Sequence, residues 1–129
     1  MDHPDIVIQS FGYLHGPPPT AHLTLDVREH FRDPHTTPEL RSLTAYDGRV
    51  RRAVLDTPGI LPLLDATAMT VHAFLAGPGG RRPIRLAVGC AGGRHRAATL
   101  AMVLTGWLRR DGLTVELSHR DLSKSVVER

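Results

Sequence analysis

Between Ile84 and Ser118 the chain reads as a short apolar run, a glycine pair, a long helical period and an alternating run. Ile84–Gly89 is short and continuously apolar, as a buried strand is. From Arg94 to Arg110 the residues Ala97, Leu100, Ala101, Leu104 and Leu108 fall on one helical face, and Asp111-Gly112 stops the helix. Leu113, Val115 and Leu117 then alternate along a strand over Leu113–Ser118. Strand, helix and strand in that order form a βαβ unit with a right-handed crossover. The expectation is therefore an α/β domain, with a small, largely parallel sheet and helices packed on it.

Two more strands precede this unit. Ile6-Val7-Ile8 centres one over Asp5–Ser10, and Leu23, Leu25 and Val27 alternate along another over Ala21–Val27, which makes four strands. The loop between them, Phe11–Gly16 followed by Pro17-Pro18-Pro19, cannot continue a strand. Glu29–Asp47 lacks periodicity and is rich in charge, Pro and Thr, so it is expected to be a long loop, functional or mobile. Gly48–Asp56 suits a short helix, and Thr57-Pro58 starts a long one with Ile60, Leu64, Val71, Phe74 and Leu75 in period, closed by Gly77-Pro78. With 129 residues the expected organisation is one domain over 1–129, its core spanning about 6–124. A content of 41% hydrophobic and 22% charged residues argues for a folded chain over a disordered one.

No apolar run approaches the ~18 residues of a membrane span. Met1–Asp5 shows neither the basic nor the apolar segment of a secretory signal. A single cysteine excludes an internal disulfide framework and fits a reducing compartment, so a cytoplasmic protein without membrane partners is expected.

Ligands of open α/β sheets bind beyond the carboxyl ends of the strands. If the strands run parallel, the segments leaving them (Phe11–Gly16, Asp26–Arg28, Gly89–Arg96 and His119–Asp121) share one edge. They bring together His15, Arg28, Arg94, His95, Arg96, His119 and Arg120. Gly92 and Gly93 let backbone N–H groups approach an anion, and the following helix adds free N–H groups and its positive dipole end. Arg94 and Arg96 are expected to clamp phosphate oxygens in bidentate fashion. Asp26 and Arg28 share a face, where they could form an ion pair or Asp26 could accept a bond from a sugar hydroxyl or ammonium; the expectation is a mixture, Asp26 orienting and Arg28 facing the anion.

Other chemistries fit less well. There is no Walker loop, so ATP hydrolysis is not expected. The eight histidines show no metal-ligand spacing, so neither a metal nor a cofactor is expected. A net charge of +3 and six Phe, Tyr and Trp residues offer little for stacking RNA bases, although the arginines could hold a phosphate backbone. Cys90 and Arg96 form a C-x5-R spacing that resembles the loop of cysteine-dependent protein phosphatases. There Cys90 would be the nucleophile and Arg96 the phosphate ligand, with Asp26, Asp33 or Asp121 as general acid. Gly89 stands where that family has histidine and Ala97 where it has Ser or Thr, so binding is favoured over catalysis.

Taken together, Ser10–Gly16, Asp26-Val27-Arg28, Asp33-Pro34-His35, Leu40–Thr44, Gly89–Arg96 and His119–Leu122 resemble, in order and spacing, the C-terminal domain of the RNase adapter protein RapZ. The resemblance implies a domain that senses glucosamine-6-phosphate and, in some bacteria, presents small regulatory RNA to a ribonuclease. It implies a small anionic metabolite as ligand, RNA or a protein as further partners, and a homo-oligomer. Family members carry an N-terminal P-loop kinase-like domain, so this chain looks like a free-standing version or that part alone. The implied pocket uses Gly92, Gly93, Arg94, His95 and Arg96, ringed by His15, Asp26, Arg28, His35, His119 and Arg120. Ala91 and Ala97 replace hydroxyl residues common in the family, and Leu14 a frequent lysine, which bears on which sugar phosphate fits.

Overall fold

The computed structural model describes residues 3–80 and 82–128. Its four strands are β1 (Ile6–Gly12), β2 (Leu23–Asp26), β3 (Ile84–Cys90) and β4 (Val115–His119). They form one sheet in the order β2-β3-β1-β4, and every pairing is parallel. Four helices connect them: α1 (Pro38–Arg41), α2 (Gly48–Leu55), α3 (Ile60–Ala76) and α4 (Arg96–Arg110). β1 lies between β3 and β4, so the β3–α4–β4 unit skips one strand, and α4 packs across all three.

Alternation along the strands decides which face meets the helices. Ile6 and Ile8 of β1, Leu86 and Val88 of β3, and Leu100, Leu104 and Leu108 of α4 are all buried in one cluster. At roughly 1.5–3 kcal/mol for each fully buried large aliphatic side chain, this layer is the main source of stability. On the opposite face, near the carboxyl ends, the Phe11 and Tyr13 rings pack 4.7 Å apart, and the Arg120 guanidinium lies 5.2 Å from the Phe11 ring.

The elements differ from the sequence reading mostly at their ends. β1 runs two residues further than Ser10, to Gly12, because Phe11 and Gly12 pair with Gly89 and Cys90 of β3. The long helix starts at Ile60 rather than at Thr57-Pro58. Gly59 is left-handed (φ 93°) and separates it from α2, whose last turn Thr57 closes by donating Oγ1–H to the Ala53 carbonyl. α4 begins at Arg96 rather than Arg94, with His95 as its N-cap. Glu29–Asp47 is not a structureless loop: it holds a 3-10 turn over Pro34–Thr36 and the short α1. Asp33 starts that turn by accepting the His35 N–H at 3.0 Å.

Candidate functional site

All four carboxyl ends share one edge of the sheet, the condition on which the sequence argument rested. In register, Asp26 stands beside Gly89, Gly12 beside Cys90 and Ser10 beside His119. The glycine loop after β3 is pressed against the end of β1. A Cβ on Gly12 would collide with the Gly92 backbone, and one on Gly93 would come within 2.8 Å of the Gly12 nitrogen. Gly93 also has φ 79°, a left-handed backbone that other residues adopt only under strain.

The buried Asp121 carboxylate pins this junction. It accepts the Gly12 N–H at 2.7 Å and pairs with Arg120 at 2.9 Å and Lys124 at 2.7 Å. Burial pushes its pKa up, but the hydrogen bonds from Arg120, Gly12 and Lys124 outweigh that and hold it below the ordinary value.

The expected cations are at this edge, and their donors are engaged by the protein itself. Arg94 donates to the Lys124 carbonyl at 2.7 Å and the Ser42 carbonyl at 2.9 Å. Arg96 is 2% exposed. It donates to the carbonyls of Val27 at 3.2 Å, Arg28 at 2.8 Å and Phe31 at 3.4 Å, and pairs with Asp33 at 3.1 Å. The bidentate clamping expected of these two side chains is directed here at backbone carbonyls and a carboxylate. Arg120 donates to the carbonyls of Pro17, Gly12 and Gly16 besides pairing with Asp121. Arg28 pairs with Asp26 at 2.6 Å and stacks 3.6 Å over the Tyr13 ring, so of the two arrangements open to Asp26 the ion pair is the one present. The Arg28 hydrogen bond keeps the Asp26 pKa low.

Two of the expected histidines, His95 and His119, are held by side-chain hydrogen bonds to neighbours. His95 donates Nε2–H to the Leu43 carbonyl at 2.7 Å, and burial lowers its pKa, so the neutral ring is favoured. His119 Nδ1 lies 2.6 Å from Ser10 Oγ, and burial lowers its pKa as well. His15 has a buried Nε2 without a hydrogen-bond partner. His35 lines a small cavity with Asp33, Cys90, Gly92, Arg94, His95 and Arg96. This cavity measures about 10 Å³, roughly the room of one water.

Cys90 is 2% exposed, and its Sγ accepts the Gly93 N–H at 3.3 Å. In this arrangement the thiol braces the loop through the Gly93 N–H. Among the described residues no three His, Cys, Asp or Glu side chains gather as a metal site would require, and no single helix is long and apolar enough to cross a membrane.

Two side chains hold the site in roles that spacing alone does not reveal. Asp33 and Asp121 were only general-acid candidates by position, whereas they hold Arg96 and Gly12. The Asp33-Pro34 pair carried the usable signal, since Asp before Pro is a common start for a helical turn. Ser10, the His119 partner, gave no signal, because their contact depends on strand pairing across 109 residues.

An all-parallel sheet, a glycine loop wedged against the first strand and a helix start without a side-chain cap together define a small α/β domain with a candidate anion site at one edge. Residues 4–123 match the family model of the RapZ C-terminal domain, and the chain belongs to that family. It is 40% identical over 121 residues to a nucleotide-binding protein of Corynebacterium jeikeium, covering 92% of this chain and 41% of that protein. A nucleotide-binding protein of Thermobifida fusca is 40% identical over 119 residues, covering 91% and 40%. One from Mycobacterium leprae (strain TN) is 37% identical over 122 residues, covering 92% and 41%. The chain thus spans about two fifths of the length of the curated relatives it matches.

Proposed function

We propose that this domain is a regulatory module that binds a phosphorylated small metabolite, an amino-sugar phosphate of the glucosamine-6-phosphate type, at the glycine loop. The observation that carries this reading is the start of α4. The 15-residue helix begins at Arg96, separated from Gly92-Gly93 only by Arg94 and His95, and no side chain caps its N-terminus. Its first-turn N–H groups and positive dipole end therefore favour an anion among the converging strand ends. Around it stand His15, Arg28, His35, Arg94, His95, Arg96, His119 and Arg120, with Asp26 orienting Arg28. Family membership supports a regulatory rather than a catalytic role.

Calorimetric titration with glucosamine-6-phosphate, with inorganic phosphate and glucosamine as controls, tests the reading. Binding of the sugar phosphate in preference to both controls is expected, and no binding of any phosphate would refute it. The relatives' names support a phosphate-bearing ligand, although this chain corresponds to only part of each. RNA is the second partner class, and an RNA affinity that falls steeply with salt would identify it. Self-association belongs to the same reading and is measured by sedimentation.

A further inference from the structure

The cavity beside the glycine loop already contains an anion of the chain's own. The Asp33 carboxylate lies 3.1 Å from the Arg96 guanidinium, whose side chain is 3% exposed. Both residues line the cavity that Gly92, Arg94 and His95 share. Asp33 is placed there by local structure, because its other oxygen accepts the His35 N–H that opens the 3-10 turn. Arg96 in turn holds the carbonyls of Val27, Arg28 and Phe31, so one buried side chain ties the whole segment to the start of α4. Its Nε is buried without a hydrogen-bond partner, which leaves the guanidinium incompletely satisfied.

We propose that Asp33 is a built-in competitor for the ligand's phosphate and thereby a determinant of specificity. An anion reaches Arg96 only by displacing the Asp33 carboxylate. A dianionic phosphate monoester does so more readily than a singly charged anion, because its stronger attraction to Arg96 and the helix start offsets the lost pair. Displacement loosens the hold of Arg96 on the segment from Val27 to Asp33, so ligand occupancy is converted into a change at the surface. This inference rests on the reading that phosphate binds at the glycine loop.

The test uses the full chain and inorganic phosphate. Asp33→Asn keeps an acceptor for the His35 N–H and removes the charge. It is expected to bind phosphate about tenfold more tightly, the low end of measured couplings between close charge pairs. Glu29→Gln removes the same charge from an exposed position in the same segment and is expected to stay within about twofold of the wild type. In the wild type, phosphate should also speed tryptic cleavage after Arg28 and Arg32, a readout that needs no variant. Equal or weaker phosphate binding by Asp33→Asn, with the wild type still binding, overturns the competitor role alone. Protection from trypsin by phosphate also overturns it. If neither protein binds phosphate or glucosamine-6-phosphate, the functional reading beneath it falls as well.

Discussion

Arg96 shows how one residue can be legible in type and unreadable in role. Its position after two glycines at the start of a helix marked it as a phosphate ligand. Its contacts in the fold, with Val27, Arg28 and Phe31, lie 65 to 69 residues away in sequence and could not be inferred from spacing. Because it is a buried charge paired with Asp33, Arg96→Ala is expected to cost about 3 kcal/mol or more in chemical denaturation. Gly93 makes a comparable case from backbone geometry. Gly93→Ala imposes a left-handed backbone on a residue with a Cβ and drives that atom against the Gly12 nitrogen, so a loss of at least about 1–2 kcal/mol is expected in the same assay.

The buried His95 and the half-buried His119 give a pH dependence with a definite sign. Burial lowers the pKa of His95 and His119 from the ordinary 6.5, so in acid the unfolded chain takes up protons more readily than the folded one. Their effect is absent well above pH 6.5, and stability falls as pH drops from there through the lowered folded values. The melting temperature should therefore decline between pH 7 and pH 5, and His95→Gln should flatten that decline. A decline unaltered in His95→Gln would remove His95 as a cause.

At the scale of elements, the strands and long helices were readable because their apolar periods are local. The strand expected over Ile84–Gly89 is present and runs one residue further, to Cys90, and the core face of α4 follows the apolar period, so that the helix carries the centre of the core. Leu104→Ala should accordingly destabilise by about 2–5 kcal/mol with the secondary structure retained. The segment from Glu29 to Asp47 was unreadable for the opposite reason. Its turn and short helix are too brief to show a period, and they are held by long-range contacts: Arg94 to Ser42, His95 to Leu43 and Arg96 to Asp33. The glycine loop and the segment after β2 thus form one unit, so damage to α4's first turn should also loosen residues 28–45.

At the scale of the whole molecule, strand direction alone implied that four loops share one edge, and the all-parallel sheet bears that layout out. Direction could not say which side chains at that edge remain available to a ligand. Arg94, Arg96 and Arg120 all engage carbonyls within the protein, so the backbone of the glycine loop and the start of α4 carry more of the proposed recognition than the sequence implied. The sheet offers a second concavity of about 260 Å³ on its face, lined by Val7, Gln9, Arg85, Glu116 and Ser118 among others. It provides the natural contrast for locating a ligand.

The measurement that tests the central claim most directly is an amide chemical-shift titration of the isotopically labelled protein with glucosamine-6-phosphate. The account predicts the largest shifts at Gly92, Gly93 and the first turn of α4 from Arg96 to Thr99, with smaller ones at Asp33 and His35. Shifts confined to Val7, Gln9, Arg85 and Glu116, with the glycine loop unmoved, would contradict it.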